Sequence, residues 1–244
     1  MKKFLIQLSY DGHSFHGWQI QNDIVTIQSV IEEALEKIFK TQIRIIVSGR
    51  TDAGVHALNQ YAHFEVSTRM TSENIVAALN ATIPDAIYVK GCKNVPENFH
   101  ARFSAKKRTY LYKIMKQYSP FERFYSSFFP GTLIDISILD KLSKILIGTH
   151  DFKVFAHDTS QLNSTLCTLE KAEWIEDDTH YYFYISANRF LHNMVRRIVG
   201  TLIFICDNQL KSKYLEQLLR DQDYTKLGTT APPEGLYLYD VEYN

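Results

Sequence analysis

The clearest pattern in the chain is a helical one over residues 26–40, TIQSVIEEALEKIFK. Its apolar side chains recur every three or four residues, which is the spacing of one face of an amphipathic helix. Thr26 stands just before the first apolar residue and carries a hydroxyl suited to capping a helix N-terminus. We therefore predict a helix that follows Thr26. A second helix is predicted over residues 72–83, SENIVAALNATI, and Pro84 ends it.

Shorter apolar runs that end in turn residues predict the strands of the first half of the chain. These runs are residues 2–12, 43–49, 60–66 and 86–95. Together with the two helices they follow the order β-α-β-β-α-β. That order is the one found in ferredoxin-like folds.

The second half of the chain is predicted to hold a comparable set of elements. The predicted strands are residues 108–116, 169–177, 180–188 and 235–243, and the predicted helices are residues 137–148, 190–206 and 213–221. We therefore expect an α+β protein with two ferredoxin-like halves, residues 1–105 and 106–244, around a largely antiparallel sheet with a central cleft. The first half carries the loop with Asp52, and the second is expected to complete the cleft.

Composition narrows the class of protein. The chain has 244 residues and is 45% hydrophobic, as globular proteins are. It contains no run of about eighteen apolar residues, so we expect no membrane span, and its N-terminus reaches polar residues too early for a signal peptide. We expect a cytoplasmic protein. Three cysteines, far apart in sequence, predict neither disulfides nor a zinc site.

The net charge of zero does not itself indicate a nucleic-acid-binding protein, because such domains are usually basic. It does not exclude one, since a locally positive groove is sufficient.

The stretch VSGRTDAGVHALNQ, residues 47–60, combines an arginine, a carboxylate and a histidine where a strand meets a turn. Taken alone, Asp52 is an ordinary turn residue, because D-A-G is common turn chemistry. Alternatively, the nearby Arg50 keeps Asp52 ionised, and the carboxylate acts as a nucleophile or a general base. No second histidine stands at ligand spacing from His56, so we predict no metal here and a structural role for that ring.

The nine residues GRTDAGVHA, 49–57, resemble the signature of the tRNA pseudouridine synthase A (TruA-type) family. Further stretches resemble other blocks of that family in the same order. They are YDGHSFHGWQIQ (10–21), ALNATIPDAI (78–87), FHARFSAKKRTYLYKI (99–114), GTHDFKVF (148–155), ANRFLHNMVRRIVGTL (187–202) and APPEGLYLYDVEY (231–243). The resemblance therefore extends from end to end of the chain.

This resemblance implies the pseudouridine synthase fold and a specific reaction. Such enzymes break the N-glycosidic bond of a uridine in RNA, turn the uracil and rejoin it through carbon 5, with no cofactor or metal. The implied target is the anticodon stem-loop of tRNA, at positions 38, 39 and/or 40, and the implied assembly is a homodimer. Asp52 matches the essential aspartate, which either attacks the ribose C1′ or removes a ribose proton.

The resemblance also assigns substrate-binding residues. Arg50 is expected to hold the ribose-phosphate or to fill the space that the flipped base leaves. Tyr110 matches the active-site tyrosine, whose ring stacks on the uracil. The alternative for a strand tyrosine is core packing, and we expect that role for Tyr112, on the same face of the strand, and not for Tyr110. Arg196 lies in an apolar helical segment, where a buried arginine needs a partner, and it matches the basic residue that pairs with the aspartate. Arg197 points elsewhere on that helix, toward the surface or the RNA.

Arg102, Lys106, Lys107 and Arg108 are candidate RNA contacts. A basic run is usually a solvated surface, and a phosphate contact is equally consistent with its place beside Tyr110. One position departs from the family pattern: Cys167 stands where an arginine of the RNA-binding cleft is expected. This leaves open a pseudouridine synthase that acts on another RNA, such as ribosomal RNA. An inactive tRNA-binding protein and an unrelated aspartate-dependent hydrolase are the remaining alternatives.

Overall fold

The computed structural model describes residues 1–160 and 162–243, which divide into two compact units. Unit 1 is Met1–Lys106 together with the chain from Tyr237 onward, and unit 2 is Lys107–Leu236. The C-terminal strand therefore returns to the unit in which the chain begins.

Unit 1 has the predicted β-α-β-β-α-β order. Its elements are β1 (Lys2–Tyr10), α1 (Ile27–Phe39), β2 (Ile46–Val47), β3 (His56–Val66), α2 (Ser72–Asn80) and β4 (Ile87–Val95). The strands lie side by side in the order β4-β1-β3, with β2 on β3, and these pairings are all antiparallel. This is the strand order of a ferredoxin-like unit. The C-terminal strand β9 (Leu236–Glu242) adds a short parallel pairing with β3.

Helix α1 forms for the local reasons that the sequence predicted. Thr26 caps it: its hydroxyl accepts a hydrogen bond from the Ser29 N–H, and the Ser29 hydroxyl accepts one from the Thr26 N–H. This reciprocal pair satisfies two donors that a helix start otherwise leaves open. Ile31 and Leu35 are fully buried on the inner face.

Strand β2 is shorter than predicted. We expected a strand over residues 43–49, but only Ile46 and Val47 pair with β3. Ile45 is buried without joining the ladder, because its N–H donates instead to the Glu32 carboxylate on α1 at 3.0 Å. The apolar run packs a loop against the helix as well as forming a strand, and periodicity alone does not distinguish the two.

Unit 2 holds a second antiparallel sheet segment. Its elements are β5 (Lys107–Met115), α3 (Ile136–Lys144), β6 (Gly148–Asp151), β7 (Leu166–Glu176), β8 (His180–Ala187), α4 (Met194–Asp207) and α5 (Lys213–Asp221). The strands lie in the order β5-β8-β7-β6. Strand β6 was not predicted, because GTHD has no apolar alternation. Helix α4 begins four residues later than predicted, since Asn193 adopts a left-handed conformation, with φ of 62°, at its start.

Helix α4 forms the buried centre of unit 2. Its residues Ile198, Val199 and Leu202 are fully buried. Gly200 lets the chain near residue 229 lie directly against the helix, because a Cβ at this position would fall 1.8 Å from the Thr229 carbonyl oxygen. Within residues 1–160 and 162–243, none of the helices is long and apolar enough to cross a membrane.

Candidate active site

Asp52 lies on a tight loop between β2 and β3 in unit 1. The Val55 N–H donates to the Asp52 carbonyl oxygen at 3.2 Å, which closes a turn, and Gly54 supplies the positive φ of 76° that the turn needs. The Asp52 side chain is half-buried. The sequence therefore places a carboxylate on a defined turn, with part of its surface open to a ligand.

The loop is held by the N-terminal segment that follows β1. The Trp18 N–H donates to the Thr51 carbonyl oxygen at 3.0 Å, and the hydroxyls of Tyr10 and Thr51 lie 2.7 Å apart. Gly17 permits this approach, because its φ is 84° and a Cβ there would lie 2.7 Å from the Thr51 carbonyl oxygen. The segment YDGHSFHGW thus braces the backbone on which Asp52 stands.

Tyr10 supports this loop as a neutral phenol. Burial raises its pKa to about 12, because a phenolate would lose its hydration in the interior. Its hydroxyl also accepts a hydrogen bond from the Gln60 amide at 3.3 Å. The same amide nitrogen donates to the Gly49 carbonyl oxygen at 2.8 Å, so this network holds both sides of the Asp52 loop.

His56 packs beneath the loop and is 1% exposed. Its Nδ1 accepts a hydrogen bond from the Gly12 N–H at 3.0 Å, and its ring stacks on Tyr237 with centroids 4.7 Å apart. Gly12 has no room for a side chain, since a Cβ would fall 2.0 Å from the Val55 carbonyl oxygen. His56 therefore joins three segments of unit 1, as expected for a structural residue.

Arg50 is exposed at the start of the same loop. In the part of the chain that the structure describes, its guanidinium has no recorded hydrogen-bond or ion-pair partner. Its backbone neighbour Gly49 is fixed by Gln60. Arg50 thus presents an exposed positive charge two residues before Asp52.

Tyr110 lies on β5 in unit 2, and its side chain is 9% exposed. The ring of Phe190 meets it edge-to-face, with centroids 5.1 Å apart. Tyr112, two residues along the strand, is fully buried, and its hydroxyl donates to the Pro232 carbonyl oxygen at 2.8 Å and contacts Ser127. The packing role expected for Tyr112 agrees with these contacts, whereas Tyr110 keeps some accessible surface.

Arg196 stands in the first turn of α4 and is half-buried. Its Nε donates to the Ala231 carbonyl oxygen at 2.7 Å, and its Nη1 donates to the Asn193 side-chain oxygen at 3.1 Å. In return, the Ala231 N–H donates to the Arg196 carbonyl oxygen. These bonds orient the guanidinium from one side.

The four basic candidates have different surroundings. Lys107 lies 3.9 Å from the Glu170 carboxylate, and Arg108 Nη1 donates to the Asn188 carbonyl oxygen at 2.9 Å. Arg102 lies over the ring of the exposed Phe103, and Lys106 is exposed. Lys106 ends unit 1 and Lys107 begins unit 2. The basic run therefore spans the boundary between the two units.

Cys167 is buried on β7, opposite His150 of β6. Burial raises the pKa of its thiol to about 11, and the positive charge of Arg189 partly offsets that effect. All three cysteines are free thiols. In the described residues, no group of three or more His, Cys, Asp or Glu side chains is placed to hold a metal ion.

Phe190, which lies beside Tyr110, and its chain neighbour Arg189 were not predicted from the sequence. Phe190 contacts the tyrosine ring, and Arg189 precedes it in the loop between β8 and α4. Both residues lie in the stretch ANRFLHNMVRRIVGTL, but no local pattern assigns them a role. Only the pairing of β5, β7 and β8 shows which side chains they adjoin.

The family comparisons add the decisive observation. A family model described as tRNA pseudouridine synthase matches residues 7–104 and 142–244, which is most of the chain. The chain belongs to this tRNA pseudouridine synthase family. It is therefore an isomerase of the pseudouridine synthase class, and the resemblance seen in GRTDAGVHA is confirmed.

Relatives in this tRNA pseudouridine synthase family match over 91–100% of their own length. A tRNA pseudouridine synthase A from Thermoanaerobacter sp. (strain X514) is 40% identical over 245 residues, covering 100% of both chains. The enzyme of that name from Caldicellulosiruptor bescii is 38% identical with the same coverage. The one from Mycoplasmoides gallisepticum is 39% identical over 99% of this chain and 91% of its own.

Among solved structures, a chain of the archaeal box H/ACA sRNP Nop10-Cbf5 complex aligns with 92% of this chain and 70% of its own length. The sequence identity is 10% and the TM-score is 0.36. A score this low carries no conclusion about fold or function.

Proposed function

We propose that this enzyme converts uridine to pseudouridine in the anticodon stem-loop of tRNA, at positions 38, 39 and/or 40. The proposal is supported by the family, by relatives named tRNA pseudouridine synthase A, and by the GRTD loop. The observation that carries it is the half-exposed Asp52 on a loop braced by Tyr10, Gly17 and Trp18. A reactive carboxylate needs such a fixed position, because small displacements of a catalytic group cost much of the rate.

Asp52 starts glycosidic cleavage by one of two routes. As a nucleophile, its carboxylate oxygen bonds to the ribose C1′, and the C1′–N1 electron pair leaves with the uracil. As a base, it takes the proton from C2′ while the C1′–N1 bond breaks, which leaves a C1′–C2′ double bond in the sugar. In both routes the uracil turns and its C5 bonds to C1′. In the first route this breaks the Asp52–C1′ ester bond, and in the second the C1′–C2′ double bond is used while C2′ regains the proton from Asp52. The proton on C5 is then lost while N1 gains one.

The other predicted residues bind the flipped nucleotide. The ring of Tyr110 stacks on the uracil, since exposed bases stack on aromatic side chains. Arg196 is the basic residue that the family resemblance assigns as the partner of the catalytic aspartate. Arg50 holds the ribose-phosphate or occupies the space left in the RNA stack. Arg102, Lys106, Lys107 and Arg108 contact phosphates.

We further infer that the enzyme works in the cytoplasm as a homodimer without a cofactor. The chain has 27 basic and 27 acidic residues, so a positive RNA-binding surface has to be local or shared between two copies. Sedimentation equilibrium measures the mass directly. A single species at 28.4 kDa at assay concentrations would overturn the dimer. Full activity after dialysis against EDTA is expected.

The first experiment is tritium release from tRNA transcribed with 5-tritiated uridine. The wild type is expected to release tritium, and Asp52→Asn, which cannot ionise, is expected to release none while it still binds tRNA. Near-normal turnover by Asp52→Asn would remove the proposed role of this residue. Sequencing of the product then maps the modified positions, and release from ribosomal RNA alone would favour the other substrate.

A second experiment separates the two routes. Uridine deuterated at C2′ is expected to slow cleavage by a primary isotope effect if Asp52 removes that proton. A rate unchanged by the deuterium identifies Asp52 as the nucleophile. Tyr110→Phe keeps the stacking ring and removes the phenol, so full activity in that variant would limit Tyr110 to stacking.

A further inference from the structure

The segment formed by the loop after β8 and helix α4 is rich in positive charge. From residue 188 to residue 206 the chain contains Arg189, Arg196 and Arg197 and no carboxylate. Arg196 and Arg197 both donate to backbone carbonyl oxygens, those of Ala231 and Ala156. Arg189 differs from them, because in the described residues its guanidinium has no recorded hydrogen-bond or ion-pair partner.

Arg189 is nevertheless held in place through its backbone. Asn188, the preceding residue, donates its N–H to the Thr168 carbonyl oxygen at 3.2 Å and accepts the Thr168 N–H on its side-chain oxygen at 3.0 Å. Its own carbonyl oxygen accepts a hydrogen bond from Arg108 at 2.9 Å. Three bonds at Asn188 thus anchor the point from which Arg189 projects.

The strand register fixes the neighbours of Arg189. Leu169 on β7 lies opposite Ala187 on β8, so position 189 falls opposite Cys167, two residues further along. The Arg189 charge is close enough to act on the Cys167 thiol, as is the carboxylate of Asp151. Asp151 accepts the Lys153 N–H at 2.9 Å and makes no recorded ion pair with Arg189 among the described residues. The half-buried Arg189 guanidinium therefore has N–H donors that can bind an acceptor on a ligand.

The location of Arg189 points to RNA as the source of that acceptor. Its chain neighbour Phe190 touches the ring of Tyr110, which receives the uracil under the proposed function. Phosphate oxygens flank every nucleotide, and an arginine fork matches their geometry. We propose that Arg189 is a substrate-positioning residue that binds an RNA backbone phosphate beside the target uridine.

This proposal rests on the proposed function, and its test keeps the two apart. Wild type, Arg189→Gln and Arg189→Lys are compared for kcat and KM on a tRNA transcript, and for the dependence of RNA affinity on salt. Arg69→Gln is the matched control, because Arg69 is exposed in unit 1 and also has no recorded partner in the described chain. Thermal melting checks that each variant is folded.

Arg189→Gln is expected to raise KM about tenfold, to leave kcat within about twofold, and to lower the salt slope by roughly one counterion. Arg189→Lys keeps the positive charge but loses the paired N–H donors of the guanidinium, so an intermediate KM is expected. Arg69→Gln is expected to behave as the wild type. If the wild type is active, and Arg189→Gln has the same KM and salt slope as the wild type or as Arg69→Gln, the proposed role of Arg189 is wrong. A wild type inactive on both tRNA and ribosomal RNA would overturn the proposed function itself.

Discussion

The ring of Phe190 meets the ring of Tyr110 edge-to-face, with their centroids 5.1 Å apart. Phe190 comes from the loop before α4 and Tyr110 from the middle of β5. An edge contact of this kind helps to fix the plane of the tyrosine ring. Under the proposed function, Phe190 therefore sets the plane in which the uracil stacks.

Replacement of Phe190 by leucine tests this relationship. Leucine retains apolar bulk but loses the aromatic contact, which is worth about 0.5–1.5 kcal/mol. We expect kcat/KM to fall roughly two- to tenfold, because the Tyr110 ring is then less well oriented. Phe204→Leu, on the partly exposed side of α4, is the control and is expected to keep wild-type activity. Equal activities in the two variants would show that Phe190 does not orient the tyrosine.

The bracing of the Asp52 loop gives a second prediction, based on two glycines with positive φ. In Gly17→Ala the new side chain stands on a left-handed backbone, with φ of 84°, and its Cβ would lie 2.7 Å from the Thr51 carbonyl oxygen. In Gly131→Ala the backbone is similar, with φ of 71°, but the new Cβ would have no heavy atom within 4 Å. Both variants should lose about 1–2 kcal/mol of stability from the backbone conformation.

The two glycine variants should differ in activity. Gly17→Ala displaces the loop that carries Asp52, so we expect kcat to fall roughly ten- to hundredfold. Gly131→Ala should retain wild-type kcat at a temperature well below its melting transition. Melting curves and tritium release measure the two effects separately. Comparable kcat values in both variants would mean that the Gly17 contact does not position Asp52.

Local sequence patterns predicted much of unit 1, and they failed where contacts between distant segments decide which strands form and pair. Thr26 and the apolar face of α1 act within a few residues, so that helix was predicted correctly. The pairing of β9 with β3 joins Tyr237 to His56, and no local pattern encodes it. Strand β6 forms because Gly148–Asp151 lies beside β7, although its own residues have little strand propensity.

The residues of the candidate site fall into the same two groups, those found from local sequence and those found only from contacts between distant segments. Asp52 and Tyr110 were identified because they stand in sequence blocks that resemble a family. Their roles stay predictions until they are tested. Phe190 and Arg189 were missed because their importance depends on the register of β8 against β5 and β7. Cys167 was identified as a departure from the family, but its burial and its nearness to Arg189 required the structure.

His63 predicts how the stability of unit 1 depends on pH. Burial lowers its pKa from 6.5 to about 4, and the nearby His100 and Lys3 add to the effect while Glu65 opposes it. Its Nδ1 accepts a hydrogen bond from the Ala101 N–H at 3.1 Å, which a protonated ring cannot do. Between pH 6.5 and 4 the unfolded chain therefore binds a proton that the native ring does not.

The free energy of unfolding is thus expected to fall as the pH drops from about 6.5 toward 4, and this loss is absent at higher pH. His63→Asn keeps an acceptor and removes the titration, so its unfolding free energy should fall less over that interval. His16→Asn removes an exposed histidine and should follow the wild type. Urea unfolding at several pH values makes the comparison. Parallel curves for wild type and His63→Asn would contradict the assignment.

Asn193 gives the last prediction, because it combines a left-handed backbone with a hydrogen bond to Arg196. Its φ is 62°, and its side-chain oxygen accepts from Arg196 Nη1 at 3.1 Å. Asn193→Gly relieves the backbone and removes only the side-chain acceptor. Gln209→Gly is the matched control, since Gln209 is exposed and has a φ of 53°. If Arg196 has to be oriented for catalysis, kcat/KM should fall about three- to tenfold in Asn193→Gly and stay unchanged in Gln209→Gly. A hydrogen bond to a charged group is worth about 1.5–3 kcal/mol. Only part of that free energy should be lost in Asn193→Gly, because the bond from Arg196 to the Ala231 carbonyl remains. Steady-state tritium release from tRNA measures both variants, and wild-type kcat/KM in Asn193→Gly would show that the Ala231 carbonyl alone is enough to orient Arg196.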